Sequence, residues 1–250
     1  MNSQGGVAEF LDKLRALTGV RICAPAPARE VDRVEAFAGT RLPPAHRALL
    51  LAANGLSSSW GFDRIYGVGD AAQDIGPWNA HETWKFAWGD GLCQFLAFAG
   101  SGWGDQFAYR LADLRRGHES IWMLDRFMMQ PTDGPVAATF ESFLAEFLGR
   151  ASEPSAEVVE ARRQVGDLGP DKLAVFSPSP LIVGFERATQ LHKMPARNAM
   201  TTNGDMARQL LDPANETRKV ARFESFADER GRLRVRVRWA TPGHVDLIAD

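Results

Sequence analysis

The chain has 250 residues, of which 45% are hydrophobic and 24% charged, and its formal net charge is −2. That length admits one large domain or two small ones, and the composition is that of a globular protein that buries a sizeable core, which argues against global disorder. The near-neutral charge points to no particular partner.

Cys23 and Cys93 stand 70 positions apart with no paired Cys or His spacing, so neither a zinc site nor a disulfide framework is expected, and a reducing, cytoplasmic setting fits best. No stretch reaches signal length or the roughly 18 apolar residues of a membrane span.

In chain order, Val7, Phe10, Leu11, Leu14 and Leu17 recur at helical spacing and Gly19 follows as a stop. A second helix fits Glu30 to Ala38, with Val31, Val34 and Phe37 on one face and Gly39 closing it. In "LPPAHRALLLAANG", Pro43 or Pro44 occupies the first helical turn and Asn54-Gly55 ends the helix. From Leu56 onward, "FDRIYGV", "CQFLAFAG", "QFAYRL" and "SIWMLDRF" read as strands joined by glycine-marked turns. Thr139 caps a closing helix, "FESFLAEFL".

These elements predict an α+β domain over residues 1–150, with N-terminal helices, an antiparallel meander and a closing helix. A connector with a short helical stretch follows over 151–170. Residues 171–250 form a smaller strand-rich extension: strands at "LAVFSP" and "PLIVGF", a helix near "GDMARQLL", and a terminal pair "KVARFESF" and "RLRVRVRW" joined through "ADERG".

The stretch "AGSGWGDQFAYRL" looks most like a device. A dinucleotide fingerprint starting at Gly100 would need glycine where Asp105 stands, and a carboxylate there would repel a pyrophosphate. A phosphate cradle also needs a helix next, whereas "QFAYRL" alternates like a strand. Gly100, Gly102, Gly104 and Asp105 therefore read as a tight strand–turn–strand connection. "HETWK" has Lys85 where a second zinc-binding histidine would fall, and the five histidines are scattered, reading mostly as ordinary surface or helix residues. Ser101 lacks the nucleophile-elbow context and Cys93 lies in an apolar run, so a hydrolase of unknown substrate is the weaker alternative, and no catalytic residue, metal or cofactor is assigned.

Between Asp63 and Asp105 six acids face only Arg64 and Lys85, and tryptophans crowd the same region. Aromatic anchors rimmed by one charge suit a protein-binding surface, with Trp60, Asp70, Asp74, Trp78, Trp84, Trp88, Asp90 and Trp103 as its candidates; for any single tryptophan, core packing is the competing reading. Arg232, Arg234, Arg236 and Arg238 alternate with apolar residues, a comb that as one strand face could grip phosphates or carboxylates. From residue 151 the chain has 15 bases and 14 acids, a balance that argues against a nucleic-acid footprint.

Three pieces together resemble the SUKH superfamily, the fold of Smi/Knr-type cell-wall regulators and of many bacterial toxin-immunity proteins. They are "EVDRVEAFAGTRLPPAHRALLLAANG", "FAGSGWGDQFAYRL" and "TFESFLAEFL". Glu35, Leu42, Pro43, Asn54, Gly55, Gly100, Gly102, Gly104 and Asp105 fall in the family's order, over about residues 25–150. Pro44-Ala45-His46 departs from it, since an acid often follows the Leu-Pro pair. The resemblance implies a non-enzymatic domain that binds a protein, in bacteria commonly a toxin whose active site it occludes; a regulatory adaptor or a nucleic-acid binder using the arginine strand is the alternative.

Overall fold

The computed structural model describes residues 3–69, 74–80, 93–127, 130–183 and 186–240. Helix α1, Ser3–Arg15, buries Val7, Phe10, Leu11 and Leu14. Helix α2, Ala28–Ala38, starts two residues before the expected Glu30 and ends at Gly39 in the left-handed region, while α3, Pro44–Ala52, carries proline at its first position. The closing helix α6, Phe140–Ser152, follows Thr139, whose hydroxyl accepts from Ser142 N–H while the Ser142 hydroxyl accepts from Thr139 N–H.

Seven strands form one antiparallel meander in sequence order: β1 Arg21–Ile22, β2 Leu56–Ser58, β3 Asp63–Ile65, β4 Phe95–Ser101, β5 Gln106–Arg110, β6 Ile121–Asp125 and β7 Gln130–Pro131. Helix α4, Ile75–Ala80, and the short α5, Leu111–Leu114, lie between strands. One sheet face presents Phe98, Phe107 and Tyr109 to α3 and α6: Phe98 stacks on Tyr109 at 4.4 Å and meets Phe143 edge-on at 5.3 Å. Helix α1 closes this layer through Phe10 and Phe147, 6.2 Å apart. Near Ala97 a bulge breaks the β4–β5 register, and the Asn79 side chain of α4 bonds both the N–H and the C=O of Ala97.

Beyond α6 come α7 Ala156–Val165, β8 Lys172–Phe176, α8 Pro180–Val183, β9 Leu191–Pro195, α9 Ala196–Leu210, β10 Val220–Ala227 and β11 Leu233–Trp239. β8 pairs with β9 and β10 with β11, both antiparallel. The expected strand at "PLIVGF" is corrected: Pro180–Val183 is a helical turn, because Ser179 accepts from Leu181 N–H as an N-cap and Pro180 has no N–H for a ladder. The helix expected near Gly204 is longer, beginning at Ala196. The tail packs closely: Leu173, Ala196, Ala199 and Met200 belong to the same buried cluster as the sheet, and a second cluster joins Phe62 to Ala161, Leu168 and Ala174.

Candidate functional site

The glycine stretch is the turn between β4 and β5. Ser101 N–H donates to the Asp105 carbonyl at 2.9 Å, Gly104 N–H donates to the Ser101 carbonyl at 3.1 Å, and the Ser101 hydroxyl donates to the Asp105 carboxylate at 2.9 Å. Asp105 also accepts from Arg126 N–H at 3.2 Å. Burial raises the Asp105 carboxyl above its ordinary value, and the Arg126 charge works against that rise.

Each glycine answers to a neighbour. A Cβ on Gly100 would collide with the Tyr66 hydroxyl; one on Gly102 would lie 2.6 Å from Phe62 and 2.8 Å from Leu168. Gly104 has φ +107° and would place a Cβ 3.0 Å from Arg126 and 3.3 Å from both Leu173 and Met200. Two of the three thus make room for the tail.

Arginines fasten the same junction. Arg64 donates to the carbonyls of Gly61 at 2.7 Å, Pro170 at 3.2 Å and Lys172. Arg126 donates to the Ala174 carbonyl at 3.3 Å, and burial lowers its pKa to about 10, which leaves it charged at neutral pH. Gly102 donates to Phe62 and accepts from Ala174 N–H at 2.8 Å. Neither arginine was singled out as a site by the sequence: each directly follows an aspartate, Asp63 or Asp125, and reads as an ordinary charged residue.

The tryptophans divide. Trp103 stacks on Phe176 at 5.6 Å with rings 6° from parallel and leans on Phe62, and Trp60 lies 3.7 Å beneath the Arg162 guanidinium. Both face the tail. Trp78 is 4% exposed and donates to Gln106 Oε1 at 3.0 Å, the atom that also accepts from the Tyr66 hydroxyl at 2.6 Å. Trp78 is therefore a core residue, and its expected role as an exposed anchor is corrected. Asp74 is half-buried at the start of α4 and accepts from Gly76 N–H at 2.9 Å; burial raises its pKa and nearby Glu30 adds to the rise. Asp70, Trp84, Trp88 and Asp90, like "HETWK", lie outside the described residues.

The arginine comb is engaged within the chain. Arg234 makes two 2.7 Å bonds to the buried Asp205, Arg232 bonds Asp228 at 2.6 Å and Arg238 bonds Glu224 at 2.7 Å. Arg236 sits 5.0 Å over the Phe226 ring. These in-chain partners correct the picture of a free phosphate-gripping face, because an incoming phosphate would have to displace carboxylates already bound.

Glu35, 5% exposed, accepts from Leu42 N–H at 3.1 Å and from Arg41 and Arg47 at 2.7 and 2.9 Å, so it ties α2 to the Leu42-Pro43 entry of α3. Among the described residues, no helix is long and apolar enough to cross a membrane. A comparison with curated proteins finds no match. The model of the SMI1 / KNR4 family (SUKH-1) matches residues 25–146, which hold the Glu35 tie, the Asn54-Gly55 stop, the glycine turn and the first half of the closing helix. Residues 25–146 are a domain of the SMI1 / KNR4 family (SUKH-1).

Proposed function

We propose that this protein is a non-enzymatic, cytoplasmic binding module that acts as a bacterial immunity protein and neutralises a toxin by covering its active site. The observation that carries the reading is the SUKH-1 domain at residues 25–146, a family known for toxin-immunity proteins. Consistent with it, Asp105 and Arg126 are engaged in structural hydrogen bonds, and His46 is enclosed by aromatic rings. The chain is organised as a binding domain at 1–150, a connector at 151–170 and an extension at 171–250 that buttresses the glycine turn.

The proposed face is the acidic segment with Asp70, Asp74 and Asp90, anchored by Trp84 and Trp88; Trp60, Trp78 and Trp103 have internal partners and drop out of it. Against a basic nuclease toxin, acids there mimic the phosphates of its substrate and speed encounter. Two measurements test this. Where a toxin gene stands beside the gene for this chain, cells expressing that toxin should survive when the chain is co-expressed, and failure to protect would end the immunity reading. Reversing Asp70, Asp74 and Asp90 to lysine should weaken toxin binding by about tenfold or more at low salt and flatten its salt dependence. Unchanged affinity and salt dependence would remove this face.

A further inference from the structure

A strand at the edge of a sheet shows a row of unpaired N–H and C=O groups, and this chain covers most of its edges. On β8, Ala174 N–H is taken by Gly102, and the carbonyls of Lys172 and Ala174 by Arg64 and Arg126. At the start of β9 the Gln164 side chain bonds Leu191 N–H and the Thr189 carbonyl. On β11, Asp205 and Gln209 of α9 accept from Val235 and Val237 N–H, and Gln209 donates to the Val235 carbonyl. The outermost strands of the large sheet, β1 and β7, are two residues long, and β7 ends in Pro131.

β10 differs. It is eight residues long without proline. Val235 and Val237 direct their N–H groups away from β10, so their cross-strand partners Ser225 and Phe223 direct theirs away from β11, and Ala227 opposite Leu233 does the same. None of these outward groups is bonded among the described residues. Helix α9 supports this two-stranded ribbon on the β11 side, and further strands would extend it on the β10 side.

We infer that β10 is the seam of a homodimer, in which two copies pair antiparallel across a two-fold axis at Ser225 and join their C-terminal hairpins into one four-stranded sheet. Charge and backbone pairing select that register. An axis at Glu224 sets Glu224 against itself, and one at Phe226 sets Glu224 against Asp228 of the second copy. An axis at Phe223 puts Ser225 opposite Ala221, inside the bulge between Val220 and Arg222. The axis at Ser225 pairs every outward group from Phe223 to Ala227, and it brings Arg222, 72% exposed and held at 2.7 Å by Glu224 of its own copy, opposite Asp228 of the second copy, which its own Arg232 holds at 2.6 Å.

The proposal stands apart from the toxin reading, since it concerns only the C-terminal hairpin. Light scattering on the full-length protein from about 1 to 100 µM should show a concentration-dependent dimer. Ser225→Pro removes an outward N–H that β11 does not use, and it should weaken the dimer by about tenfold or more while circular dichroism stays unchanged. Arg222→Asp, an exposed change that leaves the backbone intact, should weaken it too by opposing Asp228. With Cys23 and Cys93 replaced by serine, Ser225→Cys should cross-link two copies under mild oxidation, because hydrogen-bonded strand pairs hold Cα atoms about 5.5 Å apart. A protein monomeric across that range, a dimer indifferent to both variants, or absence of the cross-link would overturn the proposal. So would a monomer whose β10 edge captures only an added extended peptide.

Discussion

His46 lies fully buried on α3, stacked 4.4 Å from Phe140 and tilted against Phe98 at 5.1 Å, with Nδ1 3.2 Å from the Tyr109 hydroxyl. Among the described residues its Nε2 has no hydrogen-bond partner, so a proton there would gain nothing to offset its burial. Burial lowers the imidazole pKa from 6.5 to about 3. Between those values the unfolded chain binds a proton that the folded chain refuses, so stability falls as pH drops through 6.5 and stops falling near 3. One such group contributes a slope of about 1.4 kcal/mol per pH unit, and up to roughly 5 kcal/mol in all. Asp63 and Asp105, whose pKa values burial raises, work in the opposite sense, so the sum is shallower than the histidine alone. Replacing His46 with phenylalanine should remove the histidine's part: urea melts of wild type and variant at pH 7, 5 and 4 should diverge as acid is added. Parallel curves would show that His46 does not set the acid limit. The sequence pattern read this residue as an ordinary one because polarity alone does not reveal three aromatic rings contributed by distant strands and a helix.

Helix α9 and strand β11 are held by side chains acting as a substitute strand. Asp205 binds Arg234 through two bonds and also accepts from Val235 N–H, while Gln209 bonds Val235 and Val237 one helical turn later. Asp205→Ala removes three of these bonds and leaves a half-buried guanidinium, a change of about 2–3 kcal/mol. Hydrogen exchange should register the loss locally: the Val235 amide should exchange much faster, while Ala97 and Tyr109 in the large sheet keep their protection. Uniform acceleration would mean that hairpin and sheet open as one unit. The alternation in "RLRVRVRW" announced this strand, and the caps and glycine stops announced the helices, because those signals are local. The pairing of Arg234 with Asp205 was not legible, since it joins positions 29 apart through tertiary packing. "PLIVGF" misled for a different reason, a local one: apolar β-branched residues suggested a strand where the neighbouring Ser179-Pro180 dictates a helical turn.

At the scale of the whole molecule, the SUKH-1 domain and the tail share their interior. Trp60 and Trp103 are roofed by Arg162 and Phe176, Gly102 and Gly104 are open to Leu168, Leu173 and Met200, and Arg64 and Arg126 bond tail carbonyls. A chain ending at Ser152 would expose these aromatic faces and return both guanidinium groups to water. Solvation satisfies the arginines, so the main loss is apolar contact around Phe62, Trp60 and Trp103. At about 1.5–3 kcal/mol for a fully buried large side chain, and with burial here only partial, the loss comes to roughly 4 kcal/mol. For a chain of this size that corresponds to a melting temperature lower by about 10 °C. Calorimetry of residues 1–152 beside the full chain measures it, and tryptophan emission should shift to the red as Trp60 and Trp103 meet solvent. If the shortened protein melts with the full-length one and its emission is unchanged, the tail is an appendage and the glycine turn needs no cover. If it melts lower, the turn that identifies the family serves in this chain as the seat of its C-terminal extension, and a partner must be met on surfaces away from it.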